Sequence, residues 1–165
     1  LLVLNGVISE KDAIQSIDLN TIFLFGGTLS LAAALKSTGA GEMIASTVVG
    51  LLGENPSPLL LTFVVFIICA VLTNFMSNTA TTALMAPICL AIAQGMGADP
   101  RAVLMACVIG GSCAYATPIG MPANTMVLGV GGYRFKDYVV AGLPLIVIAT
   151  IVSMVILPIA FPFFP

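Results

Sequence analysis

Residues 55–98 form a stretch of 44 positions without any charged side chain, and this stretch constrains the fold more than any other feature of the chain. A continuous helix over residues 58–93 would be about 54 Å long, whereas the hydrocarbon core of a bilayer is about 30 Å thick. One straight membrane span is therefore excluded. The apolar flanks, residues 59–72 and 83–93, predict two arms that enter and leave on the same side, which is a re-entrant helical hairpin over residues 58–95.

The arms meet at a polar segment, residues 73–82, in which seven of ten side chains carry a hydroxyl or a carboxamide. Polar groups at membrane depth usually handle a solute, although Ser and Thr also bond to their own helix and Asn joins neighbouring helices. Thr81 and Thr82 fit such a structural role. The Ser-Asn-Thr run at residues 77–79 lies at the predicted turn and fits the functional role.

Composition indicates that this fold is built in a membrane. The chain is 59% hydrophobic and 7% charged with a mean hydropathy of +1.16, whereas soluble domains are about one-quarter charged. We therefore expect an all-α integral membrane protein in contact with the lipid bilayer. The net charge of −2 provides no basic patch for nucleic acid, and the chain has no histidine. The cysteines lack CxxC spacing and are predicted to be small core residues: Cys69, Cys89, Cys107 and Cys113.

The charged residues fall in four clusters that mark water-facing connections. Because the chain opens at Leu1 without an initiator Met, we expect part of a larger protein. The aromatic residues of 133–138 predict an anchor at the membrane interface. We predict one membrane domain over residues 1–165, made of a scaffold helix (22–36), an interfacial helix (39–52), the hairpin (58–95), a broken helix (102–130) and a last helix (138–160).

Residues 102–130 are also too interrupted for one regular helix. The run Thr117-Pro118-Ile119-Gly120-Met121-Pro122-Ala123-Asn124 contains two prolines and a glycine, which do not propagate a helix. Non-helical backbone at membrane depth persists only where it is buried in protein or lines a wet cavity. We therefore predict a discontinuous transmembrane helix whose gap faces the hairpin turn.

Two helix N-termini would converge on that gap, one beginning at Thr79 and the other at Asn124. Their free amides and dipoles would bind a carboxylate or sulfate oxygen without Arg or Lys, helped by the side chains of residues 77–79. The preceding helix ends, near Thr73 and residues 115–117, offer carbonyl oxygens that suit Na⁺. Neither segment contains Asp, Glu, Lys, Arg or His, so sodium coupling is favoured over proton coupling, which a carboxylate elsewhere in the protein would restore.

The run Ser77-Asn78-Thr79-Ala80-Thr81, together with residues 117–124, resembles the divalent anion/sodium symporter family of the ion transporter superfamily. That family carries dicarboxylates, citrate and sulfate, and the resemblance covers only the C-terminal one of its two inverted repeats. The resemblance implies a sodium site formed by Thr73, Met76, Asn78 and Gly120. It implies an anion site formed by Ser77, Asn78, Thr79, Met121, Pro122 and Asn124. It also implies a matching N-terminal repeat, a homodimer and a location in a bacterial inner membrane.

One departure from the family concerns the substrate. Dicarboxylate carriers of this family tend to have a Thr-Pro-Pro-Asn run where this chain has Met121-Pro122-Ala123-Asn124, so a hydroxyl is lost at Met121. An inorganic dianion such as sulfate is therefore also open. We predict sodium-coupled symport of a divalent anion, which is not an enzymatic activity. The alternatives are a channel or pore with a selectivity constriction, a proton-coupled anion transporter, and a membrane anchor without a solute path.

Overall fold

The computed structural model describes residues 57–164 without interruption, together with residues 5–7, 9–15, 37–39 and a few single positions before residue 48. Every regular element in these residues is a helix, which confirms the all-α class. The predicted scaffold helix (22–36) and interfacial helix (39–52) fall almost entirely outside the described residues.

The described part of the chain contains six helices. They are α1 (Glu10–Gln15), α2 (Pro58–Thr73), α3 (Asn78–Gly95), α4 (Pro100–Gly111), α5 (Pro122–Val130) and α6 (Phe135–Ala160). Helices α2 and α3 occupy the two arms of the predicted hairpin, and α4 and α5 occupy the two halves of the predicted broken helix. The re-entrant and discontinuous arrangement of these helices in a membrane stays a prediction.

Side-chain caps determine where α2, α3 and α4 begin. Ser57, Ser77 and Asp99 each accept a hydrogen bond from a backbone N–H of the first turn that follows. Such caps satisfy amides that have no partner within the helix. The cap at Ser77 starts α3 at Asn78, one residue before the predicted Thr79. Helix α5 likewise begins at Pro122, ahead of the predicted Asn124, because proline is favoured at the first helical position.

Helix α4 packs against both α2 and α3 and forms the centre of the described bundle. The approach to α2 is close, since a Cβ on Gly110 would lie 2.6 Å from the carbonyl oxygen of Phe66. Small residues permit this contact between membrane helices. Cys69, Cys89 and Cys107 are buried in the core cluster shared by the three helices, and all four predicted core cysteines are free thiols.

Helix α6 is the only helix of the described residues that is long and apolar enough to cross a membrane. Its 26 residues would span about 39 Å. Most of its apolar side chains are exposed on the surface of the bundle, as are Val140, Val147, Ile151, Val155 and Ile159. An apolar helix with an exposed apolar surface is typical of a helix in contact with lipid.

Candidate functional site

Two non-helical segments lie in contact, and we call them the first break (residues 74–77, between α2 and α3) and the second break (residues 112–121, between α4 and α5). Thr117 donates its hydroxyl proton to the carbonyl oxygen of Asn74 at 2.5 Å, and both residues are buried. The two segments that the sequence singled out are therefore neighbours in space.

Asn74 joins the two breaks through its carboxamide. Its Nδ2 donates to the carbonyl oxygens of Ala70, at 2.6 Å, and Cys113, at 3.2 Å. Its Oδ1 accepts from the backbone N–H of Ala116 at 2.9 Å. Buried backbone polar groups outside helices need such partners, so this side chain supplies hydrogen bonds that the non-helical segment lacks. Sequence reasoning missed this role of Asn74, and the signal available in the sequence was its position two residues after the first apolar arm.

Thr73 is fully buried at the end of α2, where α2, α3 and α4 meet. Its Oγ1 lies 2.7 Å from Oδ1 of Asn78 and 2.6 Å from the carbonyl oxygen of Gly111. A hydroxyl carries one proton, so it donates to only one of these oxygens at a time. Three oxygen atoms therefore share a single donor, and oxygen ligands of this kind are what hard cations take.

Gly120 brings the second break against the carbonyl end of α2. A Cβ at this position would lie 2.6 Å from the carbonyl oxygen of Thr73 and 3.0 Å from Cβ of Ala114. The approach therefore requires a residue without a side chain. Thr73 thus lies next to both Asn78 and Gly120, and these are three of the four residues predicted to hold sodium.

An open cleft with a volume of about 540 Å³ lies between the two breaks. The first break lines it with Phe75, Met76 and Ser77, and the second break and α5 line it with Ile119, Gly120, Pro122, Thr125 and Met126. Helices α3 and α5 both begin beside this cleft. Because helix N-termini carry partial positive charge and free N–H groups, the cleft suits an anionic group.

The remaining residues of the predicted anion site differ in their surroundings. Met121 caps α5 without a side-chain hydrogen bond, which leaves the first amides of that helix without a side-chain acceptor. The Nδ2 of Asn124 donates to the carbonyl oxygens of Ala114, at 2.8 Å, and Thr117, at 3.0 Å. Asn124 therefore directs its donors to the second break instead of the cleft. Thr79 is partly buried in the first turn of α3.

Two threonines near the breaks behave differently from the expectation for helical threonines. Thr81 is fully buried, and its Oγ1 has no hydrogen-bond partner among the described residues, so the expected bond to its own helix is absent there. Thr125, which sequence reasoning did not single out, donates to the carbonyl oxygen of Pro118 at 2.6 Å and lines the cleft. The sequence did contain a signal for Thr125, since its hydroxyl comes directly after the predicted start of α5 at Asn124.

Charged groups lie at the far end of α4, where the helix begins. The Arg101 guanidinium donates to both carboxylate oxygens of Asp99, with the shortest contact at 2.7 Å. These hydrogen bonds hold the pKa of Asp99 below its usual value, so its carboxylate stays ionised at neutral pH. Residues 102–133 contain no charged side chain, and the cleft has no charged residue in its lining.

Comparison with known proteins places the chain among membrane transporters. Residues 1–164 match the profile of the family described as citrate transporter. The chain belongs to this family, which confirms its resemblance to the divalent anion/sodium symporters and shows that its class is a transporter and not an enzyme.

Relatives cover most of this chain. The uncharacterized transporter YfbS of Escherichia coli (strain K12) is 40% identical over 158 residues, which are 94% of this chain and 25% of YfbS. The sodium-dependent dicarboxylate transporter SdcS of Staphylococcus saprophyticus is 27% identical over 92% of this chain and 30% of its own length. Solute carrier family 13 member 2 of Oryctolagus cuniculus is 30% identical over 82% of this chain and 22% of its own length. The chain thus spans about a quarter of these relatives.

Proposed function

We propose that this chain is the C-terminal repeat of a sodium-coupled symporter that moves a divalent anion, such as a dicarboxylate, citrate or sulfate, across a bacterial inner membrane. The observation that carries the proposal is the cleft at which α3 and α5 both begin. The similarity to SdcS, a sodium-dependent dicarboxylate transporter, supports both the cation and the charge of the substrate.

The anion would be held by dipoles and hydroxyls. The Oγ of Ser77 accepts the N–H of Ala80 at 3.2 Å, so the Ser77 hydroxyl proton remains available for an anionic oxygen. The first turn of α3, with Asn78 and Thr79, would contribute further donors. At the facing helix, which starts at Met121 and Pro122 without a side-chain cap, the donors would be the backbone N–H groups of Met121 and Ala123, because Pro122 has no N–H and that of Asn124 donates to Met121. Asn124 would contribute to the anion site indirectly, because its side chain bonds to the second break and so holds the first turn of α5 in place.

The coupling ion would bind at the oxygen cluster around Thr73, where the oxygens of Thr73, Asn78 and Gly111 share one hydroxyl proton. Thr73 Oγ1 and Asn78 Oδ1 would be its side-chain ligands, and the backbone carbonyls of Met76 and Gly120 would complete the set. The cleft lining contains no charged residue. A sodium ion held beside the cleft would therefore be needed to compensate part of the charge of a dianion. Cation and anion would then each raise the affinity for the other, which is the thermodynamic basis of coupled transport.

The proposal extends to the surrounding architecture. Helices α2 and α3 would form a re-entrant hairpin, and α4 and α5 a discontinuous transmembrane helix, with both breaks near the bilayer midplane. An N-terminal inverted repeat would supply the second half of the anion site, and two copies of the transporter would form a homodimer. Movement of the hairpin and broken helix against a scaffold would expose the site alternately to the two sides.

The test is uptake by the full transporter reconstituted in liposomes. Labelled succinate, citrate or sulfate should accumulate with saturable kinetics when a sodium gradient is imposed, and choline in place of sodium should abolish the accumulation. Uptake that follows the solute gradient without saturation would identify a pore, and uptake driven by a pH gradient alone would identify proton coupling.

The Asn78→Ala variant tests the site itself. Because Asn78 would serve both ligands, we expect it to lower uptake at sub-saturating sodium at least about tenfold, which corresponds to about 1.4 kcal/mol. The exposed carboxamide of Gln94, also on α3, supplies the matched control Gln94→Ala with unchanged uptake. Normal uptake by Asn78→Ala would show that Asn78 has no role in the solute path, as the anchor alternative requires.

A further inference from the structure

Tyr138 connects the long helix α6 to the start of α5. Its hydroxyl donates to the backbone carbonyl oxygen of Asn124 at 2.8 Å, and the hydroxyl lies in a partly buried position. Its ring meets that of Tyr133 edge to face, with the ring centroids 6.1 Å apart. Interfacial aromatic residues usually direct their polar end to water. This tyrosine instead directs its hydroxyl to the backbone of the candidate site.

Helix α5 depends on such polar contacts, because none of its residues is buried. Two of its side chains bond to the second break: Nδ2 of Asn124 bonds to Ala114 and Thr117, and Oγ1 of Thr125 bonds to Pro118. These bonds stay within the segment that leads into α5. The bond from Tyr138 differs because it comes from a separate helix.

The start of α6 is itself packed firmly against the second break. Gly142 lies in direct contact with the backbone of Tyr115 and Ala116, so closely that a Cβ there would overlap these atoms. Tyr138 lies one helical turn before Gly142. The backbone of Tyr138 therefore has a well-defined position relative to the second break. Pro122 and Thr125, on either side of Asn124, both line the cleft.

We infer that Tyr138 is a positioning residue for the anion site: its hydroxyl holds the first turn of α5 at the distance from the first break that the anion requires. This inference rests on the proposed function, since it assigns a role in the same cleft. Tyr138 acts through the backbone of Asn124 and does not touch the anion.

The test uses Tyr138→Phe in the full transporter, because this change keeps the ring and removes only the hydroxyl. A neutral hydrogen bond is worth roughly 2- to 10-fold in an equilibrium constant. We expect the KM for the anion to rise by about that factor, with the maximal rate per folded transporter unchanged. Tyr133→Phe is the matched control, since its ring lies beside Tyr138 and its KM should equal that of the wild type.

A second measurement does not depend on transport. Hydrogen exchange of the backbone amides of residues 122–130 should be faster in Tyr138→Phe than in Tyr133→Phe, because α5 loses its bond to α6. Unchanged exchange, or an unchanged KM in Tyr138→Phe, would overturn the inference, and so would a loss confined to the amount of folded protein. Failure of the proposed function itself is distinct, since it would appear as absent sodium-dependent uptake in the wild type.

Discussion

The two breaks separate their flanking helices in opposite ways. The first break is short, and three of its four residues are exposed: Phe75 is 67% exposed, Met76 is 37% exposed and Ser77 is exposed beside them, whereas Asn74 is buried. The second break is longer and largely buried, including Cys113, Ala114, Thr117, Pro118 and Gly120. The first break therefore presents side chains to the cleft, and the second presents mainly backbone to the first.

This difference separates two uses of polar residues in an apolar chain. Asn74 and Asn124 direct their amide nitrogens to carbonyl oxygens of the second break and replace the hydrogen bonds of a helix. Ser77 caps α3 by accepting a hydrogen bond, which does not use its own hydroxyl proton. Inside a membrane, the N–H and C=O groups of non-helical backbone need hydrogen-bond partners within the protein, and the side chains that supply them are not available to bind a solute. The cleft therefore depends on asparagines that do not line it.

Removal of Asn74 should have the largest effect on stability. Asn74→Ala would leave the carbonyl of Cys113 and the N–H of Ala116 without their partner in a buried site. We expect a destabilisation of about 2–4 kcal/mol, because each buried unsatisfied group costs about 1–3 kcal/mol and hydrogen bonds between membrane helices are worth somewhat less. The measurement is the apparent melting temperature of the purified transporter.

The control for this prediction is Gln94→Ala, which removes an exposed carboxamide of α3 and should change stability by less than about 0.5 kcal/mol. Equal melting temperatures for Asn74→Ala and Gln94→Ala would contradict the view that side chains of one break stabilise the backbone of the other.

The close contact between the breaks should make Gly120 the next most sensitive position. In Gly120→Ala the new Cβ would lie 2.6 Å from the carbonyl oxygen of Thr73, so the second break must move away from α2. Overpacking of this kind costs about 1–3 kcal/mol, and it would displace a proposed sodium ligand. We expect a lower melting temperature together with a higher sodium concentration for half-maximal uptake.

Gly129→Ala is the matched control, because a Cβ on Gly129 meets no atom within 4 Å. Alanine is also the better helix former by about 1 kcal/mol, so this variant should be neutral or slightly stabilising. A Gly120→Ala protein that behaves like Gly129→Ala would mean that the two breaks do not need to touch.

Much of this arrangement was predictable from the sequence. The charge-free length of residues 55–98 and the prolines at 118 and 122 placed both interruptions, because helix length and proline chemistry depend little on tertiary context. The structure begins α3 and α5 within two residues of the predicted starts, Thr79 and Asn124. Such local rules located the two breaks beside the cleft, but they did not single out Thr125, which lines it.

The direction of individual side chains was not predictable. Asn74 and Asn78 are both asparagines of the same polar segment, yet one bonds to the second break and the other lies beside Thr73. Tyr138 has the sequence surroundings of an interfacial anchor, although its hydroxyl bonds to Asn124. Composition and spacing place a polar group at a depth, and only the packing of separate helices decides which atom it meets.

The smallest of these expected effects separates a site threonine from a structural one on the same helix. Thr73 and Thr62 are both on α2 and both fully buried, but Thr62 donates to its own helix at Pro58, whereas Thr73 lies between Asn78 and Gly111. Thr73→Val should raise the sodium concentration for half-maximal uptake about tenfold, since one oxygen ligand of roughly 1.4 kcal/mol is lost. Thr62→Val should leave it unchanged. Equal sodium dependence in the two variants would place the coupling ion away from the end of α2, and the oxygen cluster at Thr73 would then serve only to join α2 to α4.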